Sequence, residues 1–177
     1  MEDLVLVIID VQPRLLQVMW RAERLKERIS RLLRGARILN VPMVVTEQVP
    51  EKLGPTDPEW RALLSEGCVP IKKDAFSAMG EPAFVERLKA CGRRTVLLAG
   101  IETHVCVFQT AADLLADGYR VQVVVDAVSS RNEEDRRVAL EEMRALGAHW
   151  TTVEMALFGC LKRAAGDTFR EIHRVIK

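Results

Sequence analysis

The chain has 177 residues, 49% of them hydrophobic and 29% charged, and its 26 basic and 25 acidic side chains leave a net charge of +1. That length is enough for one domain with a substantial core, and the charge balance points to neither a nucleic-acid partner nor an anionic membrane surface. No apolar run approaches the ~20 residues of a membrane span, and a strand pattern beginning at Leu4 leaves no room for a signal peptide. Cys68, Cys91, Cys106 and Cys160 lie far apart, without C-x-x-C or Cys/His finger spacing. Neither a disulfide framework nor a structural zinc is therefore expected, and a reducing, cytoplasmic setting is the default.

In chain order, Leu4-Val-Leu-Val-Ile-Ile9 is a short β-branched run that ends at Asp10, a buried strand with an acid at its C-terminal edge. Ala22 to Ile38 predicts an amphipathic helix with Leu25, Ile29, Leu32, Leu33 and Ala36 on one face. Val41 to Thr46 predicts the second strand, and the proline-rich residues 47–58 a long loop. Glu59 to Leu64 reads as a short helix, Val69 to Ile71 as an extended edge, and Asp74 to Gly80 as a loop. Pro82 opens a helix to Ala90. Further strands are predicted at Thr95–Ala99, Val121–Val125 (closed by Asp126) and His149–Val153. Helices follow at Glu133–Leu146, Met155–Leu161 and Asp167–Ile176. Strand and helix thus alternate about six times, which predicts a three-layer α/β/α fold around a six-stranded parallel sheet, with residues 1–177 forming a single domain.

The most informative stretch is Thr95-Val-Leu-Leu-Ala-Gly-Ile-Glu-Thr-His-Val-Cys106. Gly100 ends an apolar strand, Thr103 has the character of a helix N-cap, and Cys106 falls in the first turn of a helix running to about Asp117. A thiol beside the unpaired N–H groups of a helix start is expected to have a lowered pKa. In a doubly wound sheet, ligands sit beyond the carboxyl ends of the strands where the strand order reverses. With order 3-2-1-4-5-6, Asp10 and Cys106 flank that crevice. Taken singly, each has a bland reading: a buried small hydrophobe for Cys106, a turn-forming carboxylate for Asp10, a solvated charge for Lys73.

Taken together, Asp10-Val-Gln12, Lys73-Asp-Ala-Phe-Ser77, Gly100-Ile-Glu-Thr-His-Val-Cys106 and Asp126-Ala-Val-Ser-Ser-Arg131 resemble the isochorismatase-like cysteine hydrolases, whose Rossmann-like fold the periodicity already suggests. Thr46-Glu-Gln48, Leu53-Gly-Pro55 and Glu154-Met-Ala-Leu-Phe158 are similar to the branch of isochorismatase-domain-containing proteins. The resemblance implies a catalytic triad of Asp10, Lys73 and Cys106; Lys72 is adjacent, but the family lysine stands three positions before the Phe-Ser pair. It also implies a cis peptide between Ile101 and Glu102, and an oxyanion hole formed by the backbone N–H groups of Glu102 and Cys106. The activity implied is hydrolysis of a small amide-like C–N bond through a thioester, with no cofactor.

The sequence departs from the nicotinamidases of that superfamily, because the region after strand two has no histidine of their Asp-x-His…His metal site. No catalytic metal is expected. Gln12 and Gln48 are candidates to line the pocket, and Phe76 and Phe108 to supply an apolar wall, although core packing is the favoured expectation for both phenylalanines. Ser129-Ser130-Arg131 resembles a family turn that caps the following helix, and His104 is expected to bond locally. The expected partner is a small-molecule substrate, with no nucleic acid or membrane, and the family resemblance implies a homo-oligomer. Two other classes of function remain open: a non-catalytic member acting in binding or assembly, and a thiol redox sensor through Cys106.

Overall fold

Six strands pair into one all-parallel sheet in the computed structural model, which describes residues 3–161 and 163–177. The strands are β1 (Leu4–Ile9), β2 (Met43–Gln48), β3 (Ile71–Lys73), β4 (Thr95–Ile101), β5 (Arg120–Ser129) and β6 (His149–Thr151), and their order is β3-β2-β1-β4-β5-β6. This is the doubly wound arrangement expected from the pattern, with its reversal between β1 and β4.

The helices are α1 (Pro13–Leu16), α2 (Ala22–Ile38), α3 (Pro50–Leu53), α4 (Pro58–Arg61), α5 (Pro82–Ala90), α6 (Phe108–Ala116), α7 (Glu133–Ala145), α8 (Val153–Gly159) and α9 (Asp167–Ile176). Every residue of β1 is buried, because successive side chains enter opposite cores. Leu4, Leu6 and Ile8 meet Ile29, Leu32 and Leu33 of α2, Leu157 of α8 and Ile172 of α9. Val5, Val7 and Ile9 meet Phe84 and Leu88 of α5, Leu114 of α6, and Leu140 and Met143 of α7. Each such aliphatic side chain contributes about 1.5–3 kcal/mol on burial.

The apolar runs underestimate the strands at their functional ends. β2 continues to Gln48, β4 to Ile101 and β5 to Ser129, because ladder pairing persists beyond the last large aliphatic residue. Gly100 pairs with Val128 and Ile101 with Ser129 after a register shift between Leu98 and Gly100. β3 lies two residues later than expected, where Ile71–Lys73 pairs with Thr46–Gln48. Asp126 lies inside β5 and accepts the Val153 N–H (2.8 Å), so it anchors the start of α8 rather than ending a strand. The loop after β2 contains α3 and α4, each with proline in its first turn.

Gly100 sits where β4 passes closest to β1. Its φ is +120°, and a Cβ on it would lie 2.1 Å from the Ile9 carbonyl oxygen and 2.5 Å from the Ile9 nitrogen, backbone atoms that cannot swing aside. Gly100→Ala is therefore expected to lower unfolding free energy by at least about 3 kcal/mol in chemical denaturation. A variant as stable as the parent would show that the two strands can separate freely at this point.

Candidate active site

Asp10 follows β1 in the left-handed region (φ 52°), a conformation that a short polar side chain tolerates better than most and that marks a position worth examining. Its side chain is sealed from solvent. Thr46, near the end of the neighbouring β2, donates its hydroxyl to Oδ1 (2.7 Å), and its carbonyl accepts the Asp10 N–H (3.3 Å). Lys73, the last residue of β3, places Nζ 2.8 Å from Oδ2, with both side chains 0% exposed. The same Nζ donates to Gln48 Oε1, to Ala75 O (3.0 Å) and to Phe76 O (3.1 Å). Three oxygens thus match the three N–H groups of the lysine. The contact with Asp10 is charge pairing, and Oδ2 has no hydrogen-bond donor among the described residues.

Cys106 completes the group, but its setting differs from the expected helix cap. Thr103–Val107 forms a π-helical turn ahead of α6, and Glu102 rather than Thr103 occupies the position before it, with no side-chain cap. The Glu102 carbonyl accepts N–H groups from Val105 and Val107, passing over Cys106. π turns of this kind recur at functional sites. The Ile101–Glu102 peptide is cis.

The expectation of a lowered thiol pKa is overturned. Burial, then the Asp10 charge, push Cys106 up to about 12, against the lowering effect of Lys73. Hydrogen bonding to Asp10 raises it further, and hydrogen bonding to Lys73 opposes that. A helix start is worth about 0.3–1 kcal/mol to a nearby anion, less than one pKa unit, whereas desolvation moves buried groups by several units. At neutral pH the resting Cys106 is therefore a protonated thiol.

The remaining sequence candidates make the following contacts. Gln12 is buried; its Nε2 donates to Gln48 O (3.0 Å) and Gly54 O (2.5 Å), and its Oε1 accepts the Gln48 N–H (2.8 Å). It straps the loop after β2 rather than presenting an amide to a pocket. Gln48 holds Lys73 through Oε1 and the Asp74 carbonyl through Nε2 (2.8 Å). Phe76 is 57% exposed, which removes the core-packing alternative and leaves its ring free at the surface beside Lys73. Phe108 is half-buried against the core. Glu102 pairs with Arg131 (3.1 Å), and His104 Nδ1 lies 2.9 Å from Ser130 Oγ. Ser129 and Ser130 do not cap α7; the residue before that helix is Asn132, and the two serines bond Trp20 and His104 instead.

Two contributors were given no role from sequence. Thr46 could have been inferred from register, since Ile8 pairs with Val45 and places Thr46 beside the end of β1. Buried Glu47 accepts the Thr56 N–H (2.7 Å) and pairs with Arg61 (3.3 Å), which fixes the same loop, and no local pattern announces it. Among the described residues, no three His, Cys, Asp or Glu side chains converge where they could hold a metal ion, and no helix is long and apolar enough to cross a membrane.

Residues 5–155 match the Isochorismatase domain family. The chain belongs to that family. Among its relatives, isochorismatase domain-containing protein 2A of Mus musculus is 45% identical over 149 residues, covering 84% of this chain and 70% of that protein. The family fold recurs with a TM-score of 0.93 in a Caenorhabditis elegans protein described as MAR1 ribonuclease, 38% identical over 99% of this chain and 90% of that one. The YcaC gene product of Escherichia coli, described as an octameric hydrolase of unknown specificity, has the same TM-score of 0.93 at 25% identity, over 99% of this chain and 87% of that one. A family member described as a ribonuclease removes the ground for excluding nucleic acid on net charge alone. A sum near zero averages over the surface and says nothing of local clusters such as Arg21, Arg24 and Arg136.

Proposed function

We propose that this family member is a cysteine-dependent hydrolase of a small amide-like substrate, cofactor-free, with Asp10, Lys73 and Cys106 as its triad. The observation that carries the reading is the fully buried Asp10 carboxylate, paired with Lys73 at 2.8 Å, whose charge raises the Cys106 pKa. Asp10 takes the Sγ proton as sulfur attacks the carbonyl carbon. Lys73 holds the carboxylate in place and favours the charge that develops on sulfur. The backbone N–H groups of Glu102 and Cys106 receive the oxyanion, contacts worth about 3–4 kcal/mol each. As the tetrahedral intermediate collapses, the C–N bond breaks and the amine leaves with the proton from Asp10. Water, deprotonated by Asp10, then cleaves the thioester and restores the thiol.

Cys106 is 7% exposed and the other two side chains are sealed, so the opening admits a small group rather than a polymer. The protein functions in a reducing cytoplasmic setting, where its four cysteines stay free, and as a homo-oligomer, as the octameric YcaC product does. The name of the worm relative supports one competing reading, RNA cleavage.

A panel of amides, ureides and hydroxamates, with RNA alongside, tests both readings. Hydrolysis of a panel member is expected, with loss of activity in Cys106→Ala and an acyl adduct on Cys106 in acid-quenched intact-mass spectra. Turnover unchanged in Cys106→Ala would refute the thiol mechanism. RNA cleavage that needs Cys106, with no small-molecule turnover, would favour the competing reading.

A further inference from the structure

A concave site lies at the C-terminal end of β5. It is a pocket of 340 Å³, whose lining includes Trp20, Arg21, Arg24, Asp126, Ser129 and Arg136; Asp10, Lys73 and Cys106 take no part in it. That volume falls within the range of small-ligand sites.

The walls are fixed from several directions. The Trp20 N–H donates to Ser130 O (2.8 Å), and the Trp20 carbonyl accepts from Ser129 Oγ (2.8 Å), so this corner is tied to the end of β5. Arg21 follows in the left-handed region (φ 53°), immediately before α2. Its guanidinium lies 4.3 Å from the centroid of the Trp20 ring, and that of Arg136 lies 5.6 Å from it. Arg136 reaches in from α7 and is held by Val128 O (3.0 Å) through Nε and by Val125 O through Nη2, which leaves Nη1 without a partner among the described residues.

Positive charge here exceeds what the protein itself neutralises. Arg21 and Arg24 have no ion pair or hydrogen bond from their side chains among the described residues. The Asp126 carboxylate accepts the Val153 N–H (2.8 Å) and faces Arg28 at 3.7 Å, so its charge is already shared. Burial lowers the Arg136 pKa; Glu133 and Asp126 oppose that, while the charges of Arg24 and Arg21 lower it further, which places the guanidiniums within repelling range of one another.

We propose that this pocket binds a small phosphate-bearing anion. Guanidinium groups match phosphate oxygens with paired N–H donors, an anion relieves the repulsion among the three arginines, and Trp20 forms a rigid half-buried wall. The pocket's lining excludes Asp10, Lys73 and Cys106, and the assignment does not rest on the hydrolase reading.

Calorimetric titration of the full chain in its native assembly with pyrophosphate and with inorganic phosphate, at constant ionic strength set by chloride, tests this. Saturable binding of one anion per chain is expected, with pyrophosphate and phosphate distinguishing a diphosphate from a monophosphate ligand. Arg21→Gln and Arg24→Gln should each weaken binding by at least about tenfold, the scale of a charge-assisted hydrogen bond. The melting temperature of unliganded Arg24→Gln should not change, since that side chain has no ion pair or hydrogen bond to lose among the described residues, whereas Arg21→Gln also gives up its contact with the Trp20 ring. Cys106→Ala should bind as the parent does. Absence of saturable binding, retention of affinity in the double arginine variant, or loss of binding in Cys106→Ala would overturn the assignment.

Discussion

Asp10→Asn is expected to lower turnover of an amide substrate by roughly 10²–10⁴-fold, the contribution of a positioned general base, while making Cys106 alkylate faster. The two effects have opposite signs because they report different states. In the resting protein the Asp10 carboxylate raises the thiol pKa by its charge and by hydrogen bonding, second only to burial. Asparagine removes that charge and leaves Lys73, which acts the other way. The thiolate fraction at a given pH below the pKa then rises about tenfold for each unit by which the pKa falls, and alkylation follows it, softened by the weaker nucleophilicity of a less basic sulfur. Turnover nevertheless falls, since no group remains to take the proton or return it to the leaving amine. Iodoacetamide labelling followed by peptide mapping reads the first effect. In the parent, labelling of Cys106 should keep rising with pH to about pH 10 without a plateau, because the pKa of about 12 lies above that range. A plateau near neutrality, or slower labelling in the variant, would mean that Asp10 does not control this thiol.

The second large effect concerns stability. Lys73→Met is expected to destabilise the protein by about 3–5 kcal/mol in chemical denaturation, because it leaves the Asp10 carboxylate buried and unpaired. The Lys73 Nζ is 2.8 Å from Oδ2 with both side chains fully buried, so water cannot take over its role. The substitution also removes the donor that gathers Gln48, Ala75 and Phe76 around one nitrogen, so the segment after β3 should become more sensitive to limited proteolysis. Combining it with Asp10→Asn should restore much of the loss, since the stranded charge disappears along with its partner. Alkylation of Cys106 in the single lysine variant should slow, opposite in sign to the aspartate variant. A double variant no more stable than Lys73→Met would place the cost in lost packing rather than in the unpaired charge.

Much of the architecture was legible because it depends on local repetition. Leu4–Ile9, Thr95–Ala99 and Val121–Val125 carry both-face burial in their own composition, and the helix over Ala22–Ile38 coincides with α2 because its apolar stripe repeats with helical period. Strand ends were less legible. Gln48, Ile101 and Ser129 extend their strands through pairing with a neighbour, which is a property of two segments and not of one. The same division runs through the site. Asp10 and Cys106 could be placed on one crevice from strand order alone, whereas Lys73 came only from the family resemblance, since a lone lysine carries no local sign of burial.

The amino-acid sequence by itself determined the doubly wound sheet, the reversal between β1 and β4, and the meeting of an acid with a thiol at that reversal, because hydrophobic period and connection handedness leave few other solutions. Only the tertiary structure decided the state of that thiol. Its pKa reflects burial together with the charges of Asp10 after β1 and Lys73 from β3, groups brought together across more than half the chain, and these outweigh the helix start beside which the cysteine sits. The contacts of Thr46, Gln12 and Gln48 were decided in the same way, by hydrogen bonds between distant segments that fix the Asp10 carboxylate, the loop after β2 and Lys73.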